Sequence, residues 1–342
     1  YTGLINENVY VCSTLVNMYA KFGMLKEAQK VFDIFPCRDI VLWTVLIAGY
    51  ADHGYGNRAI HCFEQMRVEG ISPNDVTLLC ILKACIAIGS IHKGQQIHCE
   101  ITKQEKESVE RAIFLQSNLV YIYARCGDFI MAEQVFDSLP IQDVVSWTTL
   151  ISGYVEYGIS DQALVCYERM QLQAISPNIA TFVCGLKACA SVRMIEKGQE
   201  MHGDIAKKGL QEGDIALGNG LIDMYTKCGA LDTANQVFDK IPTRNVVSWT
   251  SMITLYGQHG KGSDAWMIFQ KMQHIGIIPN KITYTTVLDA CNHDGMVFEA
   301  IECLAQIIND DANLLDVDHY ICIIDLLGRV GCLDDAVCLI SN

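Results

Sequence analysis

The sequence predicts an all-α protein, an α-solenoid of stacked helix-turn-helix repeats winding as a right-handed superhelix. Three observations predict it. First, a 35-residue stretch occurs three times. It reads IVLWTVLIAGYADHGYGNRAIHCFEQMRVEGISPN at Ile40–Asn74, VVSWTTLISGYVEYGISDQALVCYERMQLQAISPN at Val144–Asn178 and VVSWTSMITLYGQHGKGSDAWMIFQKMQHIGIIPN at Val246–Asn280, with starts 104 and 102 residues apart. Second, the six prolines keep those offsets, as Pro36, Pro140 and Pro242 and as Pro73, Pro177 and Pro279; so do Trp43, Trp147 and Trp249. Third, apolar residues inside each copy recur at helical spacing. Two short amphipathic helices cannot bury both their stripes alone, whereas stacked neighbours can.

In the middle copy, Trp147, Leu150, Ile151 and Tyr154 fall at i, i+3, i+4 and i+7 and form one face of a first helix. Gly158 interrupts the pattern, and Ser160 is the expected N-cap of a second helix carrying Ala163, Cys166, Tyr167 and Met170. Pro177 ends the copy, because the residue before a proline is pushed out of the α region. Proline is confined to unit ends because a helix interior would lose about 3 kcal/mol to it.

Taken from its start, the chain divides into a repeating triplet of unequal hairpins. Residues 1–8 read as the tail of a preceding unit. Short units come next, at 9–39 (STLVNMYAKFGMLKEAQKVFDIFP), 113–143 (SNLVYIYARCGDFIMAEQVFDSLP) and 215–245 (NGLIDMYTKCGALDTANQVFDKIP). The 35-residue units are 40–74, 144–178 and 246–280. Extra-long units fill 75–112 (ILKACIAIGSIHKGQQIHCEITK), 179–214 (GLKACASVRMIEKGQEMHGDIAKKG) and 281–316 (VLDACNHDGMVFEAIECLAQI). Residues 317–342 (VDHYICIIDLLGRVGCLDDAVCLISN) read as a truncated short-type unit, and the natural chain is expected to continue past it.

Composition narrows the function. Hydrophobic residues make up 51% of the chain, yet they are spread over helical stripes. No run approaches the roughly 18 apolar residues of a membrane span. Of the 16 cysteines, Cys85, Cys189 and Cys291 share one slot of the repeat, Cys126 and Cys228 another, and no C-x-x-C occurs. They read as small buried side chains in a reducing compartment, not as a disulfide or zinc framework. His98-Cys99-Glu100 matches the H-x-E of zinc deaminases superficially, but its counterpart is His202-Gly203-Asp204 and no P-C-x-x-C comes after it. No base, nucleophile and oxyanion constellation stands outside the repeat pattern, so neither enzyme activity, a cofactor nor a metal is expected. The net charge of −14 weakens any sequence-independent attraction to nucleic acid.

The motifs VVSWTTLISGYVEYG…ISPN, LIDMYTKCGALDTANQVFDKIP and LKACASVRMIEKGQEMHGDI resemble the long, short and extra-long units of plant pentatricopeptide repeat proteins of the mixed-repeat class. The resemblance covers essentially the whole chain. HYICIIDLLGRVGCL is similar to the terminal short unit that precedes a C-terminal extension and, in many members, a cytidine deaminase domain. The resemblance implies binding of single-stranded organellar RNA, one base per repeat, read by the fifth and last residues of each unit. Carried over, it pairs Thr44 with Asn74, Thr148 with Asn178 and Thr250 with Asn280. In the short units it pairs Ser13 with Asp39, Ser117 with Asp143 and Asn219 with Asn245. Val41, Val145 and Val247, each second in its unit, resemble the apolar wedges that sandwich bases.

The chemistry agrees. Aspartate only accepts, which suits guanine or uracil, whose ring N–H donates; asparagine can donate, which suits adenine or cytosine. Family usage adds purine preference for Ser or Thr at the fifth position and pyrimidine preference for Asn. The RNA implied is 5′-G-A-n-G-A-n-Y-A-n-3′, parallel to the chain. In the extra-long units Leu79 with Ala112 and Val183 with Asp214 make no readable pair, while Thr285 with Asp316 would suit guanine. The same residue types are what a helix N-cap requires, so capping is the alternative reading of each last residue.

The function implied is a sequence-specific RNA-binding adaptor in a plant organelle, the mitochondrion or alternatively the chloroplast. It would select a site for C-to-U editing by a deaminase beyond these residues or in trans, with other editing factors as partners and no membrane. The alternative is a structural subunit of an organellar ribosome or another large complex. A peptide-binding scaffold of the tetratricopeptide kind ranks last, because its 34-residue repeat lacks the triplet.

Overall fold

The computed structural model describes residues 9–35, 38–104, 109–210, 214–310 and 315–332. Among them are nineteen α-helices and no strand. The chain forms two compact units, Tyr1–Tyr157 and Gly158–Asn342.

The first unit holds α1 (Val9–Lys21), α2 (Leu25–Ile34), α3 (Ile40–Asp52), α4 (Gly56–Val68), α5 (Asp75–Ala87), α6 (Ile91–Gln104), α7 (Val109–Arg125), α8 (Phe129–Asp137) and α9 (Val144–Glu156). Each pair α1–α2, α3–α4, α5–α6 and α7–α8 is a hairpin, and the first helices α1, α3, α5, α7 and α9 pack side by side in that order. The second unit holds α10 (Ser160–Leu172), α11 (Ile179–Val192), α12 (Ile195–Lys207), α13 (Ile215–Lys227), α14 (Leu231–Lys240), α15 (Val246–Gln258), α16 (Gly262–His274), α17 (Lys281–Asp294), α18 (Val297–Asp310) and α19 (Val317–Val330). There α11, α13, α15, α17 and α19 form the row of first helices. The architecture within each unit is the stacked-hairpin solenoid.

An aromatic seam joins each short unit to the 35-residue unit after it. Phe32 meets Trp43 edge-on with centroids 4.6 Å apart, Phe136 meets Trp147 at 4.5 Å and Phe238 meets Trp249 at 4.9 Å. All six rings are buried. Such pairs add about 0.5–1.5 kcal/mol to what their burial supplies. Arg38 and Arg244 cover Phe32 and Phe238, with guanidinium carbons 4.7 and 4.6 Å from the ring centroids.

Ser160 does not cap α10 as its sequence position suggested. The cap position is Ile159, and Ser160 is the first helical residue, its hydroxyl buried without a hydrogen-bond partner. The slot selects for size. A Cβ at its equivalent Gly56 would lie 2.5 Å from the Ala84 carbonyl oxygen, and one at Gly262 would lie 2.8 Å from the Asp294 carboxylate. Serine fits there because it is small, and the left-handed Gly158 (φ +73°) makes the turn.

Helices begin directly after Asp39, Asn74, Asp143, Asn178, Asp214, Asn245, Asn280 and Asp316, the last residues assigned to their repeats. At the remaining expected boundary, 112/113, α7 has already begun, at Val109. Pro36 and residues 333–342 of the final unit lie outside the described residues, as does the side chain of Ala112. Cys85, Cys189 and Cys291 are free and buried; burial pushes their thiols up to about 11, 12 and 12. Among the described residues no helix is long and apolar enough to cross a membrane. None of them form a group of three or more His, Cys, Asp or Glu placed to hold a metal ion.

Candidate nucleic-acid interface

Asp39, Asp143, Asn178, Asn245 and Asn280 are N-caps in extended backbone, and their side chains, like that of Asn74, accept from the helix that follows; Ala112, the last residue expected of its repeat, lies inside α7. Asp39 takes the Leu42 N–H at 2.8 Å and Asp143 the Ser146 N–H at 2.8 Å. Asn74 takes the Thr77 N–H at 2.9 Å, Asn178 the Thr181 N–H at 2.9 Å, Asn245 the Ser248 N–H at 3.1 Å and Asn280 the Thr283 N–H at 2.9 Å. Capping is therefore their structural role. It also fixes what remains for a ligand. The backbone N–H demands an oxygen, so each asparagine turns its carbonyl oxygen inward and is left with its NH2. An aspartate that commits one oxygen keeps the other as an acceptor. One residue can cap a helix and offer a base the donor or acceptor that the sequence implied.

The fifth residues are half-buried or buried on the first helices. Ser13 donates to the Tyr10 carbonyl at 3.1 Å and Thr148 to the Val144 carbonyl at 2.6 Å; Ser117 is half-buried on α7. Two predicted pairs meet through a third side chain. Thr44 Oγ1 lies 2.7 Å from Thr77 Oγ1, which donates to Asn74 Oδ1 at 2.9 Å. Thr250 Oγ1 lies 2.8 Å from Thr283 Oγ1, which donates to Asn280 Oδ1 at 3.0 Å. One pair meets directly: Asn219 Nδ2 donates to Asn245 Oδ1 at 3.3 Å, while Ser248 Oγ donates to Asn219 Oδ1 at 2.6 Å. Ser13 and Asp39 direct their polar atoms to different partners. Thr148 belongs to the first compact unit and Asn178 to the second.

The wedge residues Val41, Val145 and Val247 are 50%, 59% and 50% exposed, although each follows the first residue of an otherwise well-packed helix. Three more apolar side chains at the same second position are exposed and escaped the sequence reading: Tyr10, Val76 and Ile282. So did the hydroxyls of Thr77, Thr181, Ser248 and Thr283. Their signal was present as Ser or Thr three residues after each terminal asparagine, a variant of the capping box.

The extra-long units differ among themselves. Asp214 caps the N–H groups of Ala216 and Leu217 at 2.8 and 3.1 Å, but its partner position holds apolar Val183. In the last one, His319 Nδ1 accepts from the Asp316 N–H at 3.0 Å, so the neutral ring carries its proton on Nε2 and donates to Thr285 Oγ1 at 3.1 Å. Asp316 pairs with Lys281 and accepts from the Val317 N–H, which together hold its carboxyl below the usual range.

His98 and Glu100 are engaged structurally. His98 Nδ1 meets the Tyr123 hydroxyl at 3.1 Å, as His202 meets Tyr225 at 2.8 Å, and Glu100 pairs with Arg67 at 3.1 Å.

Comparison with known proteins identifies the repeat. Models of the PPR repeat family match residues 38–87, 142–191 and 244–293, and a PPR repeat model matches 10–40, 117–141, 219–246 and 282–311. Pentatricopeptide repeat-containing protein At5g65570 of Arabidopsis thaliana is 39% identical over 340 residues, 99% of this chain and 45% of its own length. The mitochondrial relative At1g06140 is 34% identical across 99% of this chain and 60% of its own length, and the chloroplastic At3g57430 is 33% identical across 99% and 39%. The chain thus spans about half the length of the curated relatives it matches. Among solved structures, pentatricopeptide repeat protein PPR10, crystallised with an 18-nt psaJ RNA element, shares the fold at a TM-score of 0.83 and 18% identity, over 97% of this chain and 49% of that one. Since the family models match well over half of its residues, the chain belongs to the pentatricopeptide repeat family.

Proposed function

We propose that the chain is a sequence-specific, single-stranded RNA-binding adaptor of a plant organelle, the mitochondrion or the chloroplast. In this reading it selects a site for C-to-U editing, while a deaminase beyond these residues or in trans performs the chemistry. The observation that carries the reading is the state of the last residues. Each spends an oxygen on its cap, which leaves Asn74, Asn178, Asn245 and Asn280 an NH2 group and Asp39 and Asp143 a free oxygen. Exposed Val41, Val145 and Val247 support it, because an apolar wedge can stack on any base without reading it. The RNA in the PPR10 complex and the mitochondrial and chloroplastic names of relatives support the ligand and the compartment.

The test is RNA binding by Asn178→Asp. Against 5′-G-A-n-G-A-n-Y-A-n-3′ and its variant with G at the fifth base, the substitution should move preference from A to G by about tenfold, an ordinary cost for one wrong base. An unchanged preference overturns the assignment of that repeat.

A second reading, a structural subunit of an organellar ribosome, is favoured by charge. The chain carries −14, and several of its cations are paired with acids: Lys83 with Asp52 at 3.3 Å, Arg125 with Glu156, and Lys227 with Asp223 at 2.9 Å. Cations held this way release fewer counterions to RNA. Co-sedimentation with organellar ribosomes, without a gel shift of the matched RNA, would favour this second reading.

A further inference from the structure

An asparagine amide that turns over exchanges a donor for an acceptor at almost unchanged shape, whereas a carboxylate is the same either way round. Base choice by asparagine therefore needs something to hold the amide. In the four asparagine-ended repeats the third residue of the next helix carries a buried hydroxyl: Thr77, Thr181, Ser248 and Thr283. Three of these hydroxyls, those of Thr77, Thr181 and Thr283, donate to the same side-chain oxygen as the backbone N–H of their own residue, at 2.9, 2.9 and 3.0 Å for Asn74, Asn178 and Asn280. Ser248 gives its proton to Asn219 Oδ1 at 2.6 Å instead, and the second donor to Asn245 Oδ1 is Asn219 Nδ2 at 3.3 Å. The aspartate-ended short repeats differ. After Asp39 the third residue is apolar Leu42, and after Asp143 the Ser146 hydroxyl turns to the Asp143 main-chain carbonyl at 2.9 Å.

We propose that Thr77, Thr181 and Thr283 are positioning residues for base choice. Each locks its asparagine with the NH2 group outward, and so sets the preference for a base whose ring nitrogen accepts. The inference rests on the RNA reading above. Two donors on one oxygen hold the amide where one would leave it freer to rotate, and only an asymmetric side chain needs such holding. The lock reaches the fifth residue in two repeats, through Thr44 and Thr250, and at Asn245 the fifth residue Asn219 is itself the second donor. Thr283 gives its only proton to Asn280. The Thr250 proton then goes either to Thr283 Oγ1 or to the Val246 carbonyl at 2.8 Å, so Thr250 meets a base as an acceptor alone. Fifth and last residues therefore act as one hydrogen-bonded cluster, completed by a residue of the next repeat.

The experiment compares Thr283→Val, which removes the hydroxyl at nearly constant shape, with Thr283→Ser, which keeps it. Binding is measured to the matched RNA and to RNA carrying G in place of the A assigned to Asn280. Thr283→Val should lower the A-over-G preference there about five- to tenfold, the worth of one neutral hydrogen bond, and leave the preference at the base assigned to Asn178 intact. Thr283→Ser should restore it. Full preference in Thr283→Val overturns the proposal. A second readout is independent of RNA. NMR of the asparagine side-chain amides in the free chain should show one orientation for Asn280 in the wild type and in Thr283→Ser, and two in Thr283→Val. One orientation in all three also overturns the proposal. Release of the amide in Thr283→Val, in a chain that discriminates no base at any asparagine repeat, supports the positioning role and overturns the RNA reading instead.

Discussion

The two contact regions of each repeat obey opposite rules. Along the aromatic seam the three triplets are nearly identical: Phe32 on Trp43, Phe136 on Trp147 and Phe238 on Trp249, all edge-on and all buried. At the capping end the three short units close with Asp39, Asp143 and Asn245, and the third residue of the next helix varies too, as Leu42, Ser146 and Ser248. Shape complementarity leaves the seam little freedom, since a close-packed interior feels even one methylene. The cap tolerates any short side chain with an acceptor oxygen. Stability therefore constrains the seam fully and the cap only partly, and the cap's remaining atom can vary from repeat to repeat at little thermodynamic cost. A molecule that distinguishes ligands unit by unit needs such a position.

The largest effect should come from breaking the seam. Trp249→Ala deletes a fully buried indole beside Phe238 and should lower stability by about 3–5 kcal/mol in urea denaturation. Because a stacked repeat is held by its neighbours, the loss should appear in the helices flanking α15 and not only within it. A loss under about 1 kcal/mol would mean that the seam does not bear the array.

Breaking a cap should matter less, and swapping one should hardly matter. Asn74→Ala removes the acceptor for the Thr77 N–H and O–H and should lose about 1 kcal/mol. Asn74→Asp keeps that acceptor and should stay within about 0.5 kcal/mol of the wild type, while the base preferred by that repeat shifts from A toward G. If the two variants were equally destabilised, capping and reading could not be separated at this position.

Much of this was legible in the sequence, for reasons that vary by residue. The fold was legible because a proline inside a helix is costly and three of the four tryptophans recur in one slot of the repeat, so their spacing carries the register. For the last residues, composition could not choose between capping and reading; the structure shows the capping, and the reading proposed above would use the remaining polar atom of the same side chain. Ser160 was misread because serine signals a cap in sequence, whereas here a slot too tight for a larger side chain selected it, as it selected Gly56 and Gly262. Thr77, Thr181, Ser248 and Thr283 were passed over because each is bonded to a neighbouring repeat's cap, a relation that motif spacing within one repeat does not display.

The smallest effect on stability belongs to the wedges, and it separates the two regions most cleanly. Val145 is 59% exposed, so Val145→Ala should change stability by less than about 0.5 kcal/mol. A wedge packs on the face of a base, and every base has one, so the same substitution should weaken matched and mismatched RNA together and leave their ratio unchanged. Equilibrium binding to RNAs differing at the base assigned to Asn178 measures both quantities at once. A changed ratio would show that Val145 takes part in choosing the base, and reading would then extend beyond the capped pair to the helix's second residue.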